Sequence, residues 1–128
     1  MAEYRKRIGR AGESYAVELL KKNGYTIMDT NFNTRCGEID VVAKENGYLV
    51  FVEVKTRTSR RFGTGVTAVT PRKKHHLIKA ALLYIARFGL HHENCRFDLL
   101  ALETTPEGEV LGQRLIRNAF EVSRRYRY

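Results

Sequence analysis

The chain has 128 residues, 43% hydrophobic and 29% charged, and its 23 Lys and Arg against 14 Asp and Glu give a formal charge of +9. That length suits one soluble globular domain spanning 1–128 and is too short for two. The cationic excess favours polyanionic partners, nucleic acid first. With no apolar run of about 18 residues and no secretory leader pattern, a cytoplasmic protein without a membrane segment is expected.

Two cysteines, Cys36 and Cys95, stand far apart without ligand spacing, which argues for a reducing compartment and against a disulfide framework or a zinc knuckle. The four histidines form two adjacent pairs, His75-His76 and His91-His92. Helical neighbours diverge by about 100°, so neither pair is expected to share a ligand site.

After a short basic lead-in, a helix is predicted from about Gly9 to Asn23, with Ala16, Val17, Leu19 and Leu20 as its apolar stripe. Lys21 and Lys22 fall in its last turn, and Gly24 supplies a left-handed stop. Glu13 lies three, four and seven residues before Ala16, Val17 and Leu20, so it sits at the end of the buried face. The plainer reading is a first-turn acid favoured by the helix dipole, an effect of at most about 1 kcal/mol. Tyr25 to about Asn33 then reads as a strand, weakened by Asp29 and Asn31.

Residues 37–57 carry the strongest local signal. Two runs rich in Val, Ile, Leu and Phe flank Asn46-Gly47, the preferred pair for a type I′ hairpin turn. With these as the loop residues, Glu45 faces Tyr48, Val42 faces Phe51, Asp40 faces Glu53 and Glu38 faces Lys55. Alternation puts Ile39, Val41, Ala43, Val50, Val52 and Val54 on the other, buried face. Directly opposed acids repel, so a fold that sets Asp40 against Glu53 needs a cation between them. A hard divalent ion on carboxylate oxygens answers that need. A bulged three-residue loop would shift the register and separate the two acids.

The stretch from Thr56 to Gly65 follows as an irregular basic loop with Arg57, Arg60 and Arg61, suited to a phosphate backbone. Thr70-Pro71 marks a helix start, and the helix runs to Phe88 before Gly89 with Leu77, Ala81, Tyr84, Ile85 and Phe88 as its stripe. Arg72, Lys73 and Lys74 occupy its first turn, where the dipole disfavours cations, so an anion is expected nearby. Lys73 stands four residues before Leu77 and overhangs the buried stripe. Strands are predicted at Cys95–Glu103 and Val110–Ile116 around a turn at Pro106-Glu107-Gly108, with Asp98 the partner of a buried arginine. The basic tail from Arg117 to Tyr128 reads either as a nucleic-acid contact or as a disordered end.

In order along the chain, Gly12-Glu13, Gly24-Tyr25, Gly37-Glu38-Ile39-Asp40, Phe51-Val52-Glu53-Val54-Lys55-Thr56-Arg57, Val69-Thr70-Pro71-Arg72-Lys73, Arg96-Phe97-Asp98 and Ile116-Arg117-Asn118-Ala119-Phe120 resemble the YraN family of bacterial proteins. That family is similar to archaeal Holliday junction resolvases of the PD-(D/E)XK nuclease superfamily. The resemblance implies an α/β, restriction-endonuclease-like fold, with a central mixed β-sheet flanked by helices. By position, Asp40 resembles the first acid of the motif, Glu53 the second, Lys55 the lysine, Glu13 the helix-borne acid completing a metal site and Lys73 the polar residue on the later helix. Ile39 stands where the superfamily's name has proline. The function implied is Mg²⁺- or Mn²⁺-dependent cleavage of DNA, branched or junction DNA above all, for which a symmetric homodimer would suit paired cuts. The alternative is a nucleic-acid-binding module on the same scaffold without catalysis.

Overall fold

The computed structural model describes residues 14–58 and 69–122. Glu13, Arg60, Arg61 and the end of the tail beyond Val122 lie outside the described residues. Helix α1 is described over 14–22 and ends as its composition dictates: Gly24 takes φ +92°, and Tyr25 N–H donates to Leu20 O at 3.0 Å. Strands β1 (Thr26–Thr34), β2 (Gly37–Glu45) and β3 (Tyr48–Arg57) precede helix α2 (Pro71–Phe88), and β4 (Asn94–Thr104) and β5 (Val110–Ile116) follow it. The five strands lie in chain order in one mixed sheet, with β3 and β4 parallel and the other neighbours antiparallel. A parallel pair needs a long crossover, and α2 lies within it.

Each face of the sheet has its own core. Ala16 and Leu20 of α1 pack on Val41, Ala43, Val50, Val52, Leu100 and Leu102. Leu77, Ile78, Ala81, Tyr84 and Ile85 of α2 cover Val42, Leu49, Phe51, Phe97 and Leu99 on the other side. Strand β3 is therefore buried on both faces, which explains its unbroken apolar run from Leu49 to Val52.

The hairpin turn forms as expected, with Asn46 at φ +52° and Gly47 at φ +83°, and the ladder runs from Glu45↔Tyr48 to Val41↔Val52. It stops there, so Asp40↔Glu53 and Glu38↔Lys55 are not ladder pairs; Glu38 pairs with Asn33 of β1 instead. The expected alternation also breaks, because Ile39 packs in the α2-side core while Val41 packs on the α1 side. The facing strand β1 is irregular as well, with a register shift between Ile27 and Asp29. Asn31, between the Thr30↔Val41 and Phe32↔Ile39 pairs, is in the left-handed region at φ +52°, and Phe32 accompanies Ile39 onto the α2 face. Asp40 thus sits where β2 changes face and leaves β3.

Helix α2 is capped by the Thr70 hydroxyl, which accepts from Lys73 N–H at 3.2 Å, and ends at Gly89 with φ +64°. Phe88, expected on the buried stripe, is exposed. The tail is anchored further than expected: Phe120 is buried against Phe97 with ring centroids 4.9 Å apart, and Ala119 N–H donates to Phe97 O at 2.7 Å.

Candidate metal and phosphate site

The flare between β2 and β3 brings four of the expected residues together. The Asp40 carboxylate accepts a hydrogen bond from the Val54 N–H at 2.8 Å, which places it beside the residue that follows Glu53. Glu53 points from β3 into the α2 side and is only 8% exposed. Lys73 reaches down from the first turn of α2, its Nζ 3.6 Å from Glu53 Oε1. That contact supplies the anion which the cationic first turn called for; Lys74 lies over the Phe120 ring at 5.5 Å. Lys55 is two residues beyond Glu53 on the same strand, so it shares that side of the sheet and is half-buried.

Glu53 is held under electrostatic tension. Burial pushes its carboxyl up to about 7 and the Asp40 charge pushes the same way, while Lys73 and Lys55 pull it down without prevailing. Its Oε2 is buried and has no hydrogen-bond partner among the described residues. Buried carboxylate oxygens are nearly always satisfied, so an orphaned one beside a second acid leaves capacity for a further donor or a cation. Two carboxylates on a polar margin suit a hard divalent ion with oxygen ligands. Among the described residues no group of three or more His, Cys, Asp or Glu is arranged to hold a metal, and the expected third acid, Glu13, lies outside them.

The other expected residues divide. Arg57 is exposed at the end of β3, next to Glu103 of β4 in the ladder. Asp98 binds a buried arginine, as expected: Arg96 Nε and Nη2 donate to its two oxygens at 2.8 Å each, and Tyr25 OH and Asn118 N–H add two more donors. Arg117, read as part of a basic tail, donates instead to Glu45 and to Asn23 O and lies over the Tyr25 ring. His75 and His76, expected to diverge, both line one depression, together with Arg35 and Lys79, which sequence reasoning passed over. The available signal was spacing, since Lys79 falls four and three residues after His75 and His76 on α2.

Comparison with known proteins places this arrangement in a family. A profile described as "Uncharacterised protein family UPF0102" matches residues 12–102, which span Asp40, Glu53, Lys55 and Lys73. The chain belongs to the UPF0102 family. This is the YraN family that its motifs resemble. A UPF0102 protein of Symbiobacterium thermophilum is 50% identical over 115 residues, covering 90% of this chain and 97% of its own. Those of Caldicellulosiruptor saccharolyticus and Dictyoglomus turgidum are 42% and 37% identical, covering 91% and 90% of this chain and 98% of their own in each case. The UPF0102 fold is thus shared over nearly its whole length with these relatives. Among the described residues no helix is long and apolar enough to cross a membrane.

Proposed function

We propose that the protein is a divalent-metal-dependent endonuclease that hydrolyses phosphodiester bonds in DNA, with branched DNA as its preferred substrate. The observation that carries this reading is the buried Glu53 carboxylate, with one oxygen orphaned and its proton affinity raised first by burial and then by Asp40. Asp40 and Glu53, completed by Glu13, would hold Mg²⁺ or Mn²⁺. When bound, such an ion supplies Lewis-acid polarisation of a phosphoryl oxygen and lowers the pKa of an attacking water.

The chain's own groups do the rest. Lys55 is placed to orient the attacking water or to stabilise charge that builds on the phosphate. Lys73 compensates Glu53 in the resting site and offers its ammonium to a substrate phosphate. Arg57, with Arg60 and Arg61 in the adjoining segment, would bind the backbone electrostatically, so affinity should fall steeply with salt. No element presents a base-reading helix among the described residues, which favours recognition of DNA shape over sequence. Paired cuts in a branched substrate would suit a homodimer.

The test is incubation with linear, forked and four-way DNA and Mg²⁺ or Mn²⁺, comparing the wild type with Asp40→Asn and Lys55→Ala. Metal-dependent cleavage lost in both variants while DNA binding persists is the expected result. Binding without any metal-dependent cleavage by the wild type would reassign the scaffold to a nucleic-acid-binding module.

A further inference from the structure

Phe88 continues the apolar stripe of α2, yet it is 48% exposed, and it does not stand alone. Three groups hold its ring. Tyr84 stands one turn back with centroids 4.6 Å apart, Phe32 of β1 meets it edge to face at 6.2 Å, and the Arg87 guanidinium lies 5.4 Å from its centre. Arg87 also lies over Phe32 at 5.8 Å, and Phe32 meets Tyr84 at 4.9 Å. The backbone beneath is closed, because the Gly89 and Leu90 N–H groups both donate to Ile85 O, the second at 3.0 Å. A single exposed aromatic is ordinary. An exposed ring fixed by two others and a guanidinium in a capped turn is a rigid platform, which loses little entropy when a flat group lands on it.

We infer that this platform stacks an unpaired base of the nucleic-acid strand that enters the Asp40–Glu53 site, an inference that rests on the proposed function. The chemistry fits a nucleotide: every base offers a π-face to an aromatic ring, and an arginine beside the ring adds a cation. Asp29 of β1 brings its charge near Tyr84, and its carboxylate accepts from Thr30 N–H at 3.0 Å, so the attraction is stacking first and charge second. A second copy of this chain fits less well. A twofold contact through the patch would bring two Arg87 side chains together in a chain already at +9, whereas a polyanion relieves that charge. The position fits the strand. Phe32 pairs with Ile39, the residue before Asp40, so the platform adjoins the acidic site across one ladder step. On α2, Lys73 and Tyr84 are eleven residues apart, close to three whole turns, so they lie on one line of the helix about 16 Å apart. Phe88 follows one turn later on the same side. A strand whose phosphate meets Lys73 therefore runs down that line to the platform, and the substrate class narrows to DNA with unpaired bases, such as a fork, over an intact duplex.

The experiment is fluorescence anisotropy in EDTA, so that cleavage plays no part. The probes are labelled single-stranded, forked and duplex DNA and a single strand of equal length built of abasic sites. Phe88→Ala should weaken binding to the base-bearing strand and the fork by about 5- to 30-fold, the loss of one base–aromatic stack. Phe88→Leu, which keeps apolar bulk without a π-face, should lose most of that affinity, and Phe88→Tyr should bind like the wild type. On the abasic strand and the duplex the variants should match the wild type. The log–log salt slope should not change, since no phosphate contact is removed. Thermal melts confirm folding; Phe88 is half exposed, so its variants should melt close to the wild type. An equal loss on the abasic strand, or wild-type binding by Phe88→Ala, would overturn the platform and leave the acidic site standing. So would a drop in sedimenting mass on Phe88→Ala without DNA, which would assign the patch to a second copy. Absence of cleavage by the wild type in Mg²⁺ would instead count against the nuclease and leave these binding differences readable.

Discussion

Two buried acids on neighbouring strands have opposite fates. Asp98 on β4 and Glu53 on β3 lie one ladder step apart, Asp98 beside Val52 and Glu53 beside Leu99, and they face opposite sides of the sheet. Asp98 is 1% exposed and accepts from four donors, two of them from one guanidinium. Glu53 has one cation at 3.6 Å, a second acid nearby and an oxygen with no partner among the described residues. The difference separates structure from site. A carboxylate closed by the chain's own donors has no capacity left for a ligand, whereas one left open costs stability and retains that capacity.

The sharpest way to break this comparison is to open the closed acid. Arg96→Ala removes the fork from Asp98 and the partner at 2.7 Å from Glu45, leaving buried charge uncompensated. The expected cost is about 3 to 5 kcal/mol in urea denaturation. Asp98 and its guanidinium also hold the Tyr25 hydroxyl, whose proton is bound more tightly because of burial first and Asp98 second. A cost below about 1 kcal/mol would show that this cluster is ordinary surface pairing.

Neutralising the open acid should do the reverse. Glu53 in the folded protein titrates at about 7 against an ordinary 4.5, because burial and Asp40 disfavour its charged form. Below the ordinary value both folded and unfolded chains carry the proton, and nothing is lost. Between the two values the unfolded chain ionises while the folded one stays protonated, so stability falls as pH rises through that window. Above it the full penalty, about 3 kcal/mol for this shift, is present. Glu53→Gln should therefore be more stable than the wild type at pH 8, by up to that amount in EDTA, and indistinguishable at pH 4. Denaturant curves at the two pH values check it, and a variant less stable at pH 8 would mean that Glu53 is satisfied as fully as Asp98.

How much of this contrast could be read from residue order depends on the range of the signal. Asn46-Gly47 acts within four residues, and the register near the turn followed from it. Thr70-Pro71 and Gly89 likewise bounded α2, and Asp98 was expected to partner an arginine, which the fold identifies as Arg96. The meeting of Asp40 and Glu53 was foreseen on a different geometry. It comes not from a regular cross-strand pair but from a strand that changes face at Asp40 and splays from β3, opposite a β1 that is itself irregular, with a register shift between Ile27 and Asp29 and a left-handed Asn31. Alternation along a single strand carries no trace of that. Phe120 and Arg117 were read as tail because their partners, Phe97, Glu45 and Tyr25, lie 20 or more residues earlier. The depression at Arg35 and Lys79 depends on how closely the Gly37 turn approaches α2, a distance that only packing sets.

The smallest expected effect in free energy tests the comparison most finely. Lys73 is partly exposed, so its ion pair with Glu53 contributes less than about 1 kcal/mol. Its removal also relieves a cation from the N-terminal end of α2, a gain of about 0.3 to 1 kcal/mol. Lys73→Ala should therefore leave the melting temperature almost unchanged. The proton on Glu53 should nevertheless respond, because Lys73 is the largest influence holding its pKa down. With that charge gone, the carboxyl ¹³C resonance of Glu53 should titrate above about 7 in metal-free buffer. A resonance that stays put would mean that solvent already screens Lys73, and that Glu53 stands open to its surroundings more than its burial implies. A rise without loss of stability identifies Lys73 as a replaceable counterion, able to move to a substrate phosphate while the fold around Asp98 remains closed.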